Sequence, residues 1–157
     1  PNLTKEYLGV HIEPCGYSVL TMAFFPPHNT GKTAWVPNDS LKWRLSQGKV
    51  GVKILAFGPD CYLGRDKFPT GQYAKVGDWV MIKNMAKQED HFANKLCFTV
   101  HDNAIAHVIK REDVIFNTGF YALTKYYTIE EVEEEMKKPL LAEFNFFDAP
   151  TQMEGLL

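Results

Sequence analysis

Ala74-Lys75-Val76-Gly77-Asp78-Trp79-Val80-Met81-Ile82 is a polar turn running directly into four apolar residues. Gly77 supplies the backbone freedom a reversal needs, Asp78 can hydrogen-bond nearby backbone, and the residues that follow favour an extended chain, so a strand is expected to begin at Trp79. Val80 and Ile82 then project to one face and Trp79 and Met81 to the other. Because both faces are apolar, the strand is expected to be covered on both sides, in a small closed barrel or at a subunit interface.

Working outward, Lys49–Phe57 alternates Val50, Val52, Ile54 and Ala56 against Lys49, Gly51, Lys53, Leu55 and Phe57, the pattern of a half-buried strand, and Gly58-Pro59-Asp60 turns it. Residues 61–73 read as a hairpin or extended loop leading to the Gly77-Asp78 turn. Tyr17–Met22 is a strand after the break at Pro14-Cys15-Gly16, and the alternation of Leu8, Val10 and Ile12 places an edge strand within residues 2–13. Beyond Ile82, the polar run Lys83–Lys95 reads as a solvated connection. Leu96–Val100 and Ala104–Ile109 are strands around a His101-Asp102-Asn103 turn. Short strands at this spacing make an all-β barrel or sandwich the expected fold class.

Phe24-Phe25-Pro26-Pro27 opens a loop that runs to Thr33, where prolines preclude ladder pairing. Two phenylalanines at its start belong against something, either a partner or the chain's own body. Ala34-Trp35-Val36-Pro37 returns to the body, and Asn38-Asp39-Ser40 offers a cap or turn before a short Leu41–Leu45 segment.

The chain has 157 residues, 45% of them hydrophobic, enough for one core plus an appendage. A net charge of -2 supplies no basic field, which argues against nucleic acid as a partner. Charge is unevenly placed. Residues 128–157 hold eight of the nineteen acids and two of the seventeen bases, so an acidic tail follows a mildly basic body. No stretch approaches the roughly 20 apolar residues of a membrane span, and Pro1–Glu6 does not read as a signal peptide, so a cytoplasmic origin is expected. Cys15, Cys61 and Cys97 lack disulfide or zinc spacing and read as core fillers. The sequons at Asn2 and Asn38 carry weight only in a secreted chain.

Apparent catalytic motifs fail on inspection. Thr30-Gly31-Lys32-Thr33 imitates the end of a phosphate-binding loop, but Pro26 stands where that loop needs its first glycine and no strand-loop-helix context follows. His101, Asp102 and His107 lack the helical spacing of a zinc pair, and a turn histidine and a strand histidine are the simpler reading. No nucleophile, acid-base or metal set is assigned, so neither enzymatic activity nor a cofactor is expected.

Four of these segments, in order, resemble the GroES-like co-chaperonin family over about residues 13–116. Pro14 with Val19-Leu20-Thr21 resembles the family's opening strand. Ile54-Leu55-Ala56-Phe57-Gly58-Pro59 is similar to its Val-Leu-Ala-Val-Gly segment before the roof hairpin, and Lys75-Val76-Gly77-Asp78-Trp79-Val80 to its Lys-Val-Gly-Asp-x-Val signature. Asp102-Asn103-Ala104-Ile105-Ala106 with Val108-Ile109 resembles its closing strand. The resemblance implies a small β-barrel (residues 1–116) that self-associates into a ring, with residues 22–36 as an arm docking on a larger ring, the chaperonin. It also implies strand packing between subunits, which puts Trp79 and Met81 at an interface.

Two departures bear on function. The family's arm is polar and mobile and ends in glycine followed by three aliphatics. Here those positions hold Thr33 and Ala34-Trp35-Val36, a volume mismatch of the kind that costs about 1–3 kcal/mol. Phe24, Phe25, Pro26 and Pro27 make this arm stiffer and more apolar, suited to a permanent contact. The second departure is an extension, residues 117–157. Thr128-Ile129-Glu130-Glu131 reads as a capping box opening a short helix with Ile129, Val132 and Met136 on one face, stopped by Pro139. Leu140, Leu141, Phe144, Phe146 and Phe147 are too apolar for a solvated tail and are expected to dock on this barrel or on a neighbouring subunit. Together these favour a non-enzymatic assembly protein that reuses the co-chaperonin barrel, a capsid cement or decoration protein of a tailed bacterial virus, located in the virion and contacting a viral capsid protein. The alternative is a working co-chaperonin, virus-encoded or not, that caps a host chaperonin to assist protein folding.

Overall fold

A computed structural model of the chain describes residues 1–24, 51–83, 87–93, 95–114 and 128–139. The elements are α1 (Thr4–Leu8), β1 (Ser18–Ala23), β2 (Val52–Phe57), β3 (Trp79–Ile82), β4 (Lys87–Phe92), β5 (Lys95–His101), β6 (Ile105–Ile109) and α2 (Ile129–Lys137), with short 3-10 turns at Asp102–Ala104 and Arg111–Asp113. The six strands form one antiparallel sheet in the order β4-β5-β1-β2-β3-β6.

The sheet is open among the described residues, which corrects the closed barrel expected from the sequence. It is nevertheless strongly curled. β5 and β6 are separated by three strands, a gap of about 19 Å in a flat sheet. Yet only Asp102–Ala104 joins them, and four Cα steps reach at most about 15 Å. That turn is also bonded at both ends, Asp102 N–H donating to Tyr17 O (3.1 Å) in continuation of the β1–β5 pairing and Lys83 N–H to Ala104 O (2.8 Å) in continuation of the β3–β6 pairing. Bulges between Leu20 and Thr21 and between Met81 and Ile82 add local twist.

Side chains alternate between two buried layers. Val19, Val52, Ile54, Val80, Ile82, Leu96, Phe98, Val100 and Ile105 fill one layer. Leu20, Met22, Phe24, Leu55, Trp79 and Cys97 point the other way, where Tyr7 and Leu8 of α1 and Val132 and Met136 of α2 cover them. The two-faced coverage expected for Trp79–Ile82 is thus supplied at Trp79 by the chain's own helices.

The turn before β3 forms as its sequence dictates. Gly77 sits at φ 94°, where a side chain is strained. Asp78 accepts from the Lys75 N–H behind it (3.0 Å), and reciprocal bonds link Gly77 N–H to Ile54 O and Ile54 N–H to Asp78 O.

Three local expectations are corrected. Residues 2–13 hold α1 and no strand, because Asn2 and Thr4 build a clasp. Asn2 Oδ1 accepts from Thr4 N–H (2.9 Å), Asn2 Nδ2 donates to Ile12 O (2.8 Å), and Ile12 N–H donates to Thr4 Oγ1 (2.9 Å). The 3.6-residue spacing of Leu3, Tyr7 and Leu8 prevails over the alternation of Leu8, Val10 and Ile12, and Gly9 ends the helix at φ 79°. Lys83–Lys95 is no plain connection, since β4 pairs with β5 along Lys87–Phe92. A charged edge strand mimics a solvated loop in composition. Cys15 is exposed rather than a core filler, whereas Cys97 is buried and Cys61 half-buried.

Candidate functional site

The face beneath the two helices is where the structure concentrates charge. On α2, Ile129, Val132, Glu133 and Met136 follow the i, i+3, i+4, i+7 spacing of a single face, so a glutamate lies within the apolar stripe. The capping box fixes the start of that helix, with Glu131 N–H donating to Thr128 Oγ1 (3.2 Å) and Thr128 N–H to Glu131 Oε1 (3.3 Å). Docked on the sheet, α2 drives Glu133 against Lys53, the one charged residue of β2.

Lys53 Nζ donates to Glu133 Oε2 at 2.5 Å and to Gly77 O at 3.0 Å, with the side chains only 6% and 10% exposed. Trp79 Nε1 donates to the same Oε2 (3.3 Å), while Arg111 grips Oε1 through Nε (2.8 Å) and Nη2 (2.6 Å). Lys53 Nζ also lies 5.6 Å from the Tyr7 and Trp79 ring centroids. Burial alone would push the Glu133 carboxyl up, but the hydrogen bonds from Lys53 and Arg111 outweigh it and hold the group below the usual carboxylate range. Both carboxylate oxygens are satisfied, which is the condition for a buried charge to persist.

Lys95, buried at the start of β5, holds both helices at once. Its ammonium donates to Tyr7 O in α1 (2.5 Å) and to Met136 O in α2 (2.6 Å), so two helix C-terminal ends converge on one cation. Desolvation pulls the Lys95 pKa down. At the rim, Lys137 bridges Glu6 (2.9 Å) and lies over the Tyr7 ring. The result is a helix-braced face locked by ionic contacts from β2, β5, α1, α2 and the Arg111–Asp113 turn.

A second polar anchor sits at the sheet's end. Asp102 is fully buried, and its Oδ2 accepts from Tyr62 N–H (2.9 Å), fixing Tyr62 at φ 60°. The Tyr62 ring packs against Phe57, Phe68 and Tyr73, and burial, reinforced by Asp102, raises its hydroxyl pKa. This pins the 61–73 loop to the turn that joins β5 to β6.

Of the residues singled out from sequence, the structure brings Phe24, Trp79, Val132 and Met136 together in the layer under the helices, with Ile129 at its margin. Met81 is half-buried on β3. Phe25, Pro26, Pro27, Ala34, Trp35 and Val36 of the arm, the Leu41–Leu45 segment, and Leu140, Leu141, Phe144, Phe146 and Phe147 of the tail lie outside the described residues. Sequence reasoning missed Lys53, Lys95, Arg111 and Glu133. The available signal was paired: a lysine inside an apolar strand and a glutamate inside an apolar helical stripe each need a partner, and the two signs match. His101 and His107 are exposed at the end of β5 and in β6, and among the described residues no three His, Cys, Asp or Glu side chains stand together as a metal-holding group. Nor is any described helix long and apolar enough to cross a membrane.

No protein-family model matches the chain, and no curated protein matches it.

Proposed function

We propose that the chain is a non-enzymatic, self-associating assembly protein in which a curled, helix-braced sheet serves as a rigid body and the arm within residues 22–36, beyond its buried base at Met22–Phe24, as the docking element, acting as a cement or decoration protein on the capsid of a tailed bacterial virus. The observation that carries this reading is the seating of the arm's base. Phe24 is 8% exposed and packs in the same layer as Leu20, Met22, Val132 and Met136, against helices tied down by Lys53, Lys95 and Glu133. An arm leaving a fixed base loses less freedom on docking than one leaving a mobile base, which favours a long-lived contact. The apolar sequence Phe24-Phe25-Pro26-Pro27 and the bulky Trp35 fit the same role.

A second reading, a co-chaperonin capping a chaperonin ring, draws support from the Lys75–Asp78 turn leading into β3 of a curled antiparallel sheet. The two readings separate by mixing the purified chain with a chaperonin ring and ATP and, in parallel, with capsid shells. Stable binding to shells without an ATP-dependent ring complex supports the assembly reading, and a stoichiometric ATP-dependent complex overturns it. Trp35→Ala reports whether the arm makes the contact in either case.

A further inference from the structure

The end of the sheet at which β1 starts carries an aromatic surface far from the arm's base. Tyr17 precedes β1 and Phe24 follows it, so an extended chain holds the two about 23 Å apart. Tyr17 is 52% exposed, Tyr73 41% and Leu63 61%, whereas elsewhere among the described residues only Val10 and Val108 expose large apolar side chains. The rings form a connected set. Tyr62 packs against Phe68 (5.0 Å between centroids) and Tyr73 (5.3 Å), and Phe68 against Tyr73 (5.2 Å). A cation already lies on them, Lys67 Nζ standing 5.5 Å from the Tyr17 and the Phe68 centroids alike, within cation–π reach.

Asp102 gives the same cluster a negative charge that no neighbour balances. It is fully buried, its Oδ2 accepts from the N–H of Tyr62, and among the described residues neither its Oδ1 nor the buried Tyr62 hydroxyl has a hydrogen-bond partner. No Lys, Arg or His of the described residues pairs with it. Asp60, Arg65, Asp66 and Lys67, all exposed, cancel one another, so the local excess is the buried carboxylate. A buried carboxylate without a cation is costly, and its field is weakly screened inside the protein. We propose that this end of the sheet docks an arginine side chain of a partner protein, the guanidinium stacking on the Tyr17 and Phe68 rings where Lys67 now lies and drawn there by the Asp102 carboxylate. Lys67 is exposed on a flexible stem and can swing into water. A planar, weakly hydrated guanidinium suits aromatic faces better than the ammonium it displaces. Exposed Leu63, next in sequence to Tyr62, adds an apolar contact that a protein-borne side chain can use and a free cation cannot.

This surface is separate from the arm, so the inference goes beyond the proposed function and does not depend on it. The test titrates the full chain with three probes, the peptide acetyl-Gly-Arg-Gly-amide, its citrulline counterpart and methylguanidinium, while following the ring signals of Tyr17, Phe68 and Tyr73 by NMR. The arginine peptide is expected to shift those signals saturably, with the neutral citrulline peptide about tenfold weaker and methylguanidinium weaker than the arginine peptide. Lys67→Ala removes the built-in competitor and should tighten the arginine peptide about threefold. Asp102→Asn keeps the side-chain shape and should weaken it, as should Tyr17→Leu, a change at an exposed position that keeps the test open if Asp102→Asn does not fold. Ring signals that stay still, a citrulline peptide that binds equally well, or affinity untouched by both Tyr17→Leu and Lys67→Ala overturns the proposal. Methylguanidinium binding as tightly as the peptide overturns the assignment to a partner protein in favour of a free cation. Each of these outcomes leaves docking through the arm, read by the Trp35→Ala binding assay, standing on its own.

Discussion

Replacing Glu133 with glutamine keeps the shape of the helix face and removes its charge. Lys53, 6% exposed, then keeps a full positive charge beneath α2 with only neutral acceptors. Removing one member of a buried pair costs about 3–5 kcal/mol, and glutamine's retained carbonyl places this case near the lower end. For a chain of this length each kcal/mol moves Tm by about 2–4 °C, so Glu133→Gln is expected to lower Tm by roughly 6–12 °C. Hydrogen exchange should rise first in residues 128–138. The companion Lys53→Met/Glu133→Leu replaces both charges with apolar groups of similar length, leaving the half-exposed Arg111 to water and Glu130. Its stability should return to within about 1 kcal/mol of wild type. A single-variant loss below about 1 kcal/mol, the value of a surface pair, or a double variant as damaged as the single one, would refute the buried-lock reasoning.

Acid should release the same lock. The Glu133 carboxyl ionises more readily folded than unfolded, so its contribution is complete above the ordinary carboxylate range near pH 4.3 and fades as pH falls through the lower folded value; urea midpoints across pH 3–7 should show a decline that Glu133→Gln flattens. Lys95→Met keeps the aliphatic stem but leaves Tyr7 O and Met136 O without their shared donor, an expected loss of about 1–3 kcal/mol by urea unfolding with both helices loosening together. Gly58→Ala places a Cβ 2.3 Å from Gly16 O and 2.9 Å from Cys15 O, both backbone atoms, and should cost about 3 kcal/mol or more by the same assay. At Gly77 the strain is conformational, since a Cβ there meets only the end of the Leu3 side chain at 4.0 Å, and Gly77→Ala should lose about 1–2 kcal/mol.

The strands were legible where side chains alternate between two buried layers. Ser18–Ala23, Val52–Phe57, Trp79–Ile82 and Lys95–His101 lie close to where periodicity placed them, and the Thr128–Glu131 capping box located α2. What composition hid was the role of polar residues. Lys87–Phe92 pairs through its backbone, which residue type does not record, and Asn2 and Thr4 stabilise α1 through bonds reaching Ile12. The curl of the sheet follows from the three-residue link between β5 and β6, a constraint visible only once strand order is known. Lys53 and Glu133 are 80 residues apart, and Lys95 and Met136 41 apart, so their meeting belongs to tertiary structure.

The central functional claim, docking of a rigid assembly body through its arm, is tested most directly by incubating the purified chain with capsid shells and with a chaperonin ring plus ATP, and separating the complexes by size. The expected result is stable retention on shells that Trp35→Ala weakens, with no ATP-dependent ring complex. A stoichiometric complex with the ring that forms only with ATP, and no retention on shells, would contradict it.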